Sequence, residues 1–301
     1  MRMKKRIVLP VAVLLVAVGL VVVWLVVVDA IETKYYNSLT TEEKSGPLKT
    51  ALAKENRISE DKIAIDGIRI SFHDDVVAPK LRSIYKIYRD DSVALTITAN
   101  AFDLMELRDI NDLYMLTINK SDKGGDFDFS QLDRFGKLSI LMLHGITAQE
   151  LETLPRLPSV RAIALSARST CTLPRSFYDK FPALRDIRVE NIILQYPMPG
   201  VGSFHLRGDN SMDSLKYGFM KKDVQLVLER GKIMLDEQNL SSILQCGYVI
   251  FQDCDIHIRQ VPAKNSPFEV HLLDCRIHDG ARGARSFDEY DGDLFSLLSK
   301  R

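Results

Sequence analysis

The sequence lacks an excess of either charge and contains few cysteines. Its 301 residues include 40 Lys and Arg, 40 Asp and Glu, and 4 Cys. A module that binds nucleic acid needs a surplus of positive charge on one face, so this balance argues against that class. A chain of this length with 46% hydrophobic residues can bury a large core. This excludes both a small disulfide-dependent domain and a disordered polyelectrolyte.

Local catalytic motifs are also lacking. No Gly-x-Ser-x-Gly, His-Glu-x-x-His or P-loop sequence occurs, and Gly200-Val201-Gly202 does not complete a dinucleotide fingerprint. We therefore predict that the protein is not an enzyme and has no cofactor. One alternative stays open, because β-helix hydrolases and lyases assemble their carboxylates from different coils and leave no local signature. That alternative is a cell-envelope enzyme that acts on polysaccharide.

A long uncharged run is present near the N-terminus. Residues 7–28 carry no charged side chain, and they follow a basic tip at residues 1–6. A helix over this run would be about 33 Å long, which exceeds the roughly 30 Å hydrocarbon core of a bilayer. Because basic flanks stay on the cytoplasmic side, the run predicts one transmembrane helix with a cytoplasmic N-terminus and an extracytoplasmic C-terminal domain. A cleaved signal peptide ending near Val28-Asp29-Ala30 is the alternative.

Polar segments flank the rest of the chain. Residues 29–62 have helical preference and are predicted to be a juxtamembrane spacer and N-terminal cap, with a helix break at Gly46-Pro47. Residues 281–301 are predicted to form a C-terminal cap. Within that cap, residues 288–293 are acidic but lack the spacing of an EF-hand loop. They are predicted to be a solvated acidic turn and not a calcium site.

Between residues 63 and 280 the chain returns ten times to a short unit, in which two apolar residues flank one residue of any type. Successive units begin 17 to 27 residues apart. Strand units at this spacing are typical of a repeat array, in which each unit adds one strand to a parallel sheet. The units are Ile68-Arg69-Ile70, Leu95-Thr96-Ile97, Leu116-Thr117-Ile118, Leu141-Met142-Leu143, Ile163-Ala164-Leu165, Ile187-Arg188-Val189, Phe204-His205-Leu206, Leu226-Val227-Leu228, Val249-Ile250-Phe251 and Val270-His271-Leu272.

Several units fit one longer pattern. Two examples are the set Leu138, Leu141, Leu143, Ile146, Ala148 and the set Cys246, Val249, Phe251, Cys254, Ile256. The pattern resembles the leucine-rich repeat L-x-x-L-x-L-x-x-N/C-x-L. The resemblance implies an α/β repeat fold, namely a solenoid with a parallel β-sheet over residues 63–280. The prolines and glycines of residues 196–202 predict a break in the solenoid near that segment. An all-β right-handed helix is the alternative, particularly for residues 197–280, where helical segments are fewer.

Two Cys-x-x-His pairs, one unit apart, are the main candidates for metal chemistry. Cys254, His257, Cys275 and His278 together have the composition of a Cys2His2 zinc site. In the repeat, however, the cysteines should point into the core and the histidines outward. We therefore predict two buried thiols, two exposed imidazoles and no metal ion. A disulfide between the stacked cysteines is the alternative, since adjacent strands lie about 4.8 Å apart. The sequence leaves open the pairing of the other two cysteines, Cys171 and Cys246.

The outward residues of the units form the candidate binding surface. Their mixed polarity, without a stripe of one charge, suits a protein or peptide partner better than a polyanion. A structural spacer without a specific ligand is the remaining alternative, and the sequence does not predict the oligomeric state. The candidate residues are Met142, Ala164, Arg188, His205 and His271.

Overall fold

A computed structural model of the chain describes residues 30, 34–36, 38–66, 69–73, 76, 79–88, 93–99, 103–110, 112–120, 127–196, 198, 200–209, 211–215, 224–259, 269–279 and 283–293. The predicted transmembrane helix at residues 7–28 lies outside these residues. Within them, no helix combines the length and the apolar character that crossing a bilayer requires.

One sheet contains the 14 strands of the described residues. The strands are β1 (Ile63–Asp66), β2 (Arg69–Phe72), β3 (Val93–Ala99), β4 (Leu113–Lys120), β5 (Ile140–Ile146), β6 (Ala162–Thr172), β7 (Asp186–Ile193), β8 (Ser203–Arg207), β9 (Gln225–Glu229), β10 (Lys232–Leu235), β11 (Tyr248–Gln252), β12 (Asp255–Ile258), β13 (Glu269–Asp279) and β14 (Gly283–Asp293).

Short helices connect many of the strands. The α-helices are α1 (Thr41–Asn56), α2 (Arg82–Tyr88), α3 (Ala148–Thr153), α4 (Ser211–Leu215) and α5 (Glu237–Ile243). The 3-10 helices are Glu60–Lys62, Leu104–Leu107, Phe129–Arg134 and Arg175–Asp179. The described structure is therefore mostly β, with few helices.

Parallel pairing dominates the sheet. Strands β2 to β9 pair in chain order, β9 pairs with β11, and β11 pairs with the first half of β13, always in parallel. The second half of β13 pairs in parallel with β12, and β12 with β10. Antiparallel pairs lie at both ends, where β1 joins β2 and β14 joins β13. The prediction of a parallel sheet is confirmed, and the structure is compatible with an α/β repeat.

The predicted strand units stack in register across this sheet. The second apolar residue of every unit occupies an equivalent position, so these side chains form one column. Each of them is at most 2% exposed. Because side chains alternate along a strand, the middle residue of each unit lies on the outer face. The buried column is Ile70, Ile97, Ile118, Leu143, Leu165, Val189, Leu206, Leu228, Phe251 and Leu272.

A bend follows the strand units at a recurring register position. The backbone there adopts a positive φ, which residues other than glycine seldom do. At Gly145 a Cβ atom would lie 2.7 Å from the carbonyl oxygen of Lys120, so only glycine fits. The bend directs the next residue, such as Ile146 or Cys254, back into the core. The bend residues are Gly145 (73°), Asn191 (58°), Gly208 (91°), Arg230 (53°), Asp253 (52°) and Asp274 (51°).

In the C-terminal part of the sheet the chain forms a second strand after the bend. Strand β10 follows β9 in this way, and β12 follows β11. The two halves of β13 flank the bend at Asp274. The second strands pair with one another in parallel and so add a second row. Earlier in the chain, β5 is followed by the short helix α3 instead.

The pairing of the strands also continues across the Pro- and Gly-containing segment at residues 196–202. Strands β7 and β8, which flank this segment, pair with each other in parallel over five register positions. The sheet is therefore continuous on both sides of the segment.

The predicted helix break at Gly46-Pro47 is wrong, because α1 runs through it. A capping box between Thr40 and Glu43 begins the helix, and Leu48 and Leu52 are fully buried. Proline removes one backbone hydrogen bond from a helix. Here the cap and the buried apolar face outweigh that loss.

The prediction of an acidic turn at residues 288–293 is also wrong. These residues form the second half of β14 and pair antiparallel with the first half of β13. The reason is that β13 offers a long row of backbone hydrogen-bonding groups, which β14 satisfies along both halves.

Candidate functional site

Four of the five predicted surface residues line one cavity. Met142, Ala164, Arg188 and His205 lie side by side on β5 to β8, because the parallel register pairs each with the next. The cavity has a volume of about 190 Å³. His271 lies on β13, farther along the sheet, and does not line it. The other lining residues are Ile140, Ala162, Ile163, Asp186, Ile187 and Ser203.

The cavity results from small side chains between large ones. Ala162 and Ala164 on β6 leave a gap between Met142 on β5 and Arg188 on β7. The side chain of Arg188 is 49% exposed, so its guanidinium stands at the rim. The cavity therefore combines an apolar floor with a positively charged donor at its edge.

A buried carboxylate lies beside the cavity. The side chain of Glu229, at the end of β9, is only 8% exposed. Arg188 Nη2 donates to Glu229 Oε2 at 2.7 Å, and His205 Nε2 lies 2.6 Å from the same oxygen without the alignment of a full hydrogen bond. Arg207 Nε lies 3.4 Å from Glu229 Oε1. The carboxylate thus orients two side chains that line the cavity.

Burial and neighbouring charges set the protonation of this cluster. Burial acts to raise the pKa of Glu229, but Arg188, His205 and Arg207 outweigh it and hold the pKa below its ordinary value. Burial, reinforced by Arg188, lowers the pKa of His205. Burial also lowers the pKa of His144, on β5. Since an ordinary histidine has a pKa near 6.5, both imidazoles are neutral at pH 7. The arginines and the carboxylates supply the charge.

Replacing Glu229 by Gln is expected to destabilise the protein by about 2 kcal/mol at pH 7, because hydrogen bonds to a buried charge contribute roughly 1.5–3 kcal/mol. This contribution is complete above the ordinary glutamate pKa of about 4.3 and is lost as the pH falls through the lowered pKa of the folded state. Urea unfolding should show that the difference in free energy of unfolding between the wild type and Glu229→Gln decreases from pH 7 to pH 3. The exposed Glu269→Gln is the matched control, and a gap that persists at pH 3 would contradict the assignment.

A second cluster lies on the outer face of β12 and β13. His257 and His278 are register partners, and their rings stack with centroids 4.2 Å apart and planes 4° apart. Asp255 precedes His257 by two residues and so lies on the same face. Asp255 Oδ2 lies 3.1 Å from His257 Nε2, and Asp255 Oδ1 lies 2.5 Å from His278 Nε2. Burial acts to raise the pKa of Asp255, but the two histidines outweigh it and hold the pKa below its ordinary value.

The cysteines of the two Cys-x-x-His pairs are buried in the core. Cys254 and Cys275 are 3% and 2% exposed, and both are free thiols. Each sulfur reaches back to the preceding strand, with Cys254 Sγ 3.1 Å from Leu228 O and Cys275 Sγ 3.2 Å from Phe251 O. The structure thus brings the imidazoles to Asp255 and the thiols to backbone carbonyls. The other free cysteines of the described residues are Cys171 and Cys246.

Sequence reasoning missed Asp255 and Glu229. Asp255 could have been found from strand alternation, because it shares a face with His257. Glu229 follows the last apolar residue of its unit and lies in register with Arg207. Its neighbours in space come from strands up to 41 residues away, as in the contact with Arg188.

No family model, curated protein or solved structure matches the chain.

Proposed function

We propose that this chain is a membrane-anchored, extracytoplasmic protein whose sheet face binds a protein partner. The anchor is the uncharged run at residues 7–28, and the binding domain is a leucine-rich-repeat-like solenoid over residues 63–280. The in-register stack of strand units from β2 to β13 supports the solenoid. The second strand row near the C-terminus, with its parallel pairing, is a feature that the last units share with a β-helix.

The observation that carries the binding proposal is the cavity on the outer sheet face. Ligand sites for whole cofactors or small molecules typically measure about 300–1,000 Å³. This cavity, at about 190 Å³, is smaller and suits a single side chain. Its size therefore favours a macromolecular partner that inserts one anchor residue over a dissociable cofactor.

The lining defines the chemistry of that anchor. Met142 and Ala164 provide an apolar floor, and Arg188 provides guanidinium donors at the rim. A partner residue with an apolar side chain would fill the floor, and a carbonyl or carboxylate group next to it would accept hydrogen bonds from the Arg188 guanidinium. Buried anchor residues of this kind contribute most of the affinity at protein interfaces. Glu229 supports the interaction because it fixes the position of Arg188 before the partner arrives.

Site-specific photo-cross-linking in the native cells tests this proposal. A photoreactive phenylalanine analogue at Met142 should yield a discrete cross-linked species, because that side chain lines the cavity. Filling the cavity by Ala164→Trp in the same chain should reduce the yield at least 10-fold, the loss expected when a hot-spot contact of about 2 kcal/mol is blocked. Arg188→Ala should also reduce the yield of the cross-linked species.

The matched control places the same photoreactive residue at Asp133, an exposed position on the helix Phe129–Arg134. Ala164→Trp should leave cross-linking from Asp133 unchanged. If the species formed at Met142 persists in Ala164→Trp, or forms equally from Asp133, the sheet face is not the binding surface.

A further inference from the structure

The stacked histidines and Asp255 form a cluster that the binding proposal does not use. Among the described residues, one group of three metal-ligating side chains converges, with its ligand atoms within 4.8 Å of one another. The group is Asp255, His257 and His278. It lies on the second strand row, on β12 and β13, whereas the cavity lies on β5 to β8. The two features are therefore separate.

Backbone geometry determines which residues meet in this cluster. Parallel register fixes His257 beside His278, and the two-residue periodicity of β12 fixes Asp255 beside His257. Both imidazoles direct Nε2, the more distant ring nitrogen, toward the same carboxylate. The three ligand atoms thus lie within 4.8 Å of one another on two adjacent strands, and no loop contributes to the set.

The donor set has the chemistry of a transition-metal site. Two imidazoles and one carboxylate suit zinc and its neighbours, whereas calcium and magnesium require oxygen ligands. The side chains of Asp255, His257 and His278 are 47%, 26% and 31% exposed, so an ion can enter and water can complete its coordination. A tetrahedral ion with bonds of about 2.0–2.1 Å needs ligand nitrogens about 3.3 Å apart. The rings stack with planes only 4° apart, so on metal binding they must turn out of this parallel stack until both Nε2 lone pairs point at the ion, and Asp255 must exchange its contacts with the imidazoles for a bond to the ion.

We infer that Asp255, His257 and His278 form a binding site for one divalent transition-metal ion of the zinc class. Each imidazole ligates through Nε2 and carries its proton on Nδ1, and the Asp255 carboxylate supplies the third ligand and a negative charge. The register neighbours of Asp255 are Lys232 and Arg276, both exposed to solvent, which screens their repulsion of a cation. The thiols of Cys254 and Cys275 do not take part.

Zinc titration of the full-length protein in a non-ionic detergent, in competition with a chromophoric chelator, tests the site. The wild type should bind one equivalent at this cluster. His257→Gln and His278→Gln should each weaken that binding at least 100-fold, and Asp255→Asn at least 10-fold, since even residues behind the ligands cost 10- to 100-fold. His144→Gln is the matched control, because this imidazole lies on β5, away from the cluster, and should change the affinity less than 2-fold.

Two further readouts separate loss of ligands from loss of fold. Zinc should raise the unfolding temperature of the wild type and not that of His278→Gln, because a ligand stabilises only the state that binds it. Cobalt substitution should give visible d–d bands without a thiolate charge-transfer band, and Cys254→Ala should retain them. The inference fails if less than half an equivalent binds, if the histidine variants bind like the wild type, or if a thiolate band appears.

Discussion

Replacement of Glu150 by Ala is expected to destabilise the protein by about 3–5 kcal/mol, the range for breaking a buried ion pair by removing one partner. The Glu150 carboxylate lies 2.5 Å from Lys120 Nζ, and both side chains are only 1% exposed. It also accepts hydrogen bonds from the backbone N–H of Phe127 at 2.6 Å and of Thr147 at 2.7 Å. Loss of the carboxylate therefore leaves the buried ammonium of Lys120 without a neutralising charge. It also leaves the backbone N–H groups of Phe127 and Thr147 without this acceptor.

Protonation should have the same effect as the substitution. Burial acts to raise the pKa of Glu150, but the hydrogen bonds from Lys120, Phe127 and Thr147 outweigh it and lower the pKa. The stabilisation is therefore present above the ordinary glutamate pKa and is lost as the pH falls through the lowered value. Acid unfolding of the wild type should begin below about pH 4 for this reason.

Equilibrium urea unfolding at pH 7 measures the effect of Glu150→Ala. Glu150→Gln keeps hydrogen-bonding capacity without the charge and should lie between the wild type and Glu150→Ala. Glu152→Ala changes an exposed residue of the same helix, α3, and should stay within about 0.5 kcal/mol of the wild type. A loss below about 1 kcal/mol for Glu150→Ala would show that this pair does not hold the strand and helix together.

The second large effect is expected for Phe177→Ala, which should cost about 3–5 kcal/mol. Phe177 lies in the helix Arg175–Asp179 and is fully buried. Its ring packs against Phe181 at 4.8 Å and Tyr178 at 6.2 Å between centroids. Truncation leaves a cavity at the helical side of the sheet, and the packed aromatic neighbours cannot collapse to fill it.

Two further variants, measured in the same unfolding assay, test whether lost packing causes the destabilisation by Phe177→Ala. Phe177→Leu keeps most of the apolar volume and should cost less than half as much as Phe177→Ala. Ser176→Ala changes an exposed residue of the same helix and should be neutral within about 0.5 kcal/mol. Equal losses for Phe177→Ala and Ser176→Ala would contradict a role for the aromatic cluster.

The strand units were predictable because the information they carry is local. The alternation within a unit such as Leu141-Met142-Leu143 predicts which side chains point inward and which point outward. The spacing of the units predicts that their strands pair in parallel in chain order. The same alternation predicts that Cys254 points inward and His257 outward. Cys254 is buried, but the imidazoles of His257 and His278 are only 26% and 31% exposed, because they stack on each other. The alternation also predicts that Met142, Ala164, Arg188 and His205 share the outer face of the sheet.

The ion pairs were not predictable because they join distant segments. Glu150 and Lys120 are 30 residues apart, and nothing in either segment marks its charge as buried. The local preferences of Pro47 favoured a helix break, and those of the acidic residues of β14 favoured a turn. Both predictions were wrong. Tertiary contacts outweighed those preferences, through the buried face of α1 in one case and the long free edge of β13 in the other.

The antiparallel strand β14 disfavours pairing between two copies of the chain. Its second half contains four acidic side chains, three of them exposed. A second copy docking edge to edge would face this strand with the same charges, and like charges on paired strands repel. Two copies of the chain therefore cannot extend the sheet by pairing β14 with β14 without bringing like charges together. The four acidic residues are Asp288, Glu289, Asp291 and Asp293.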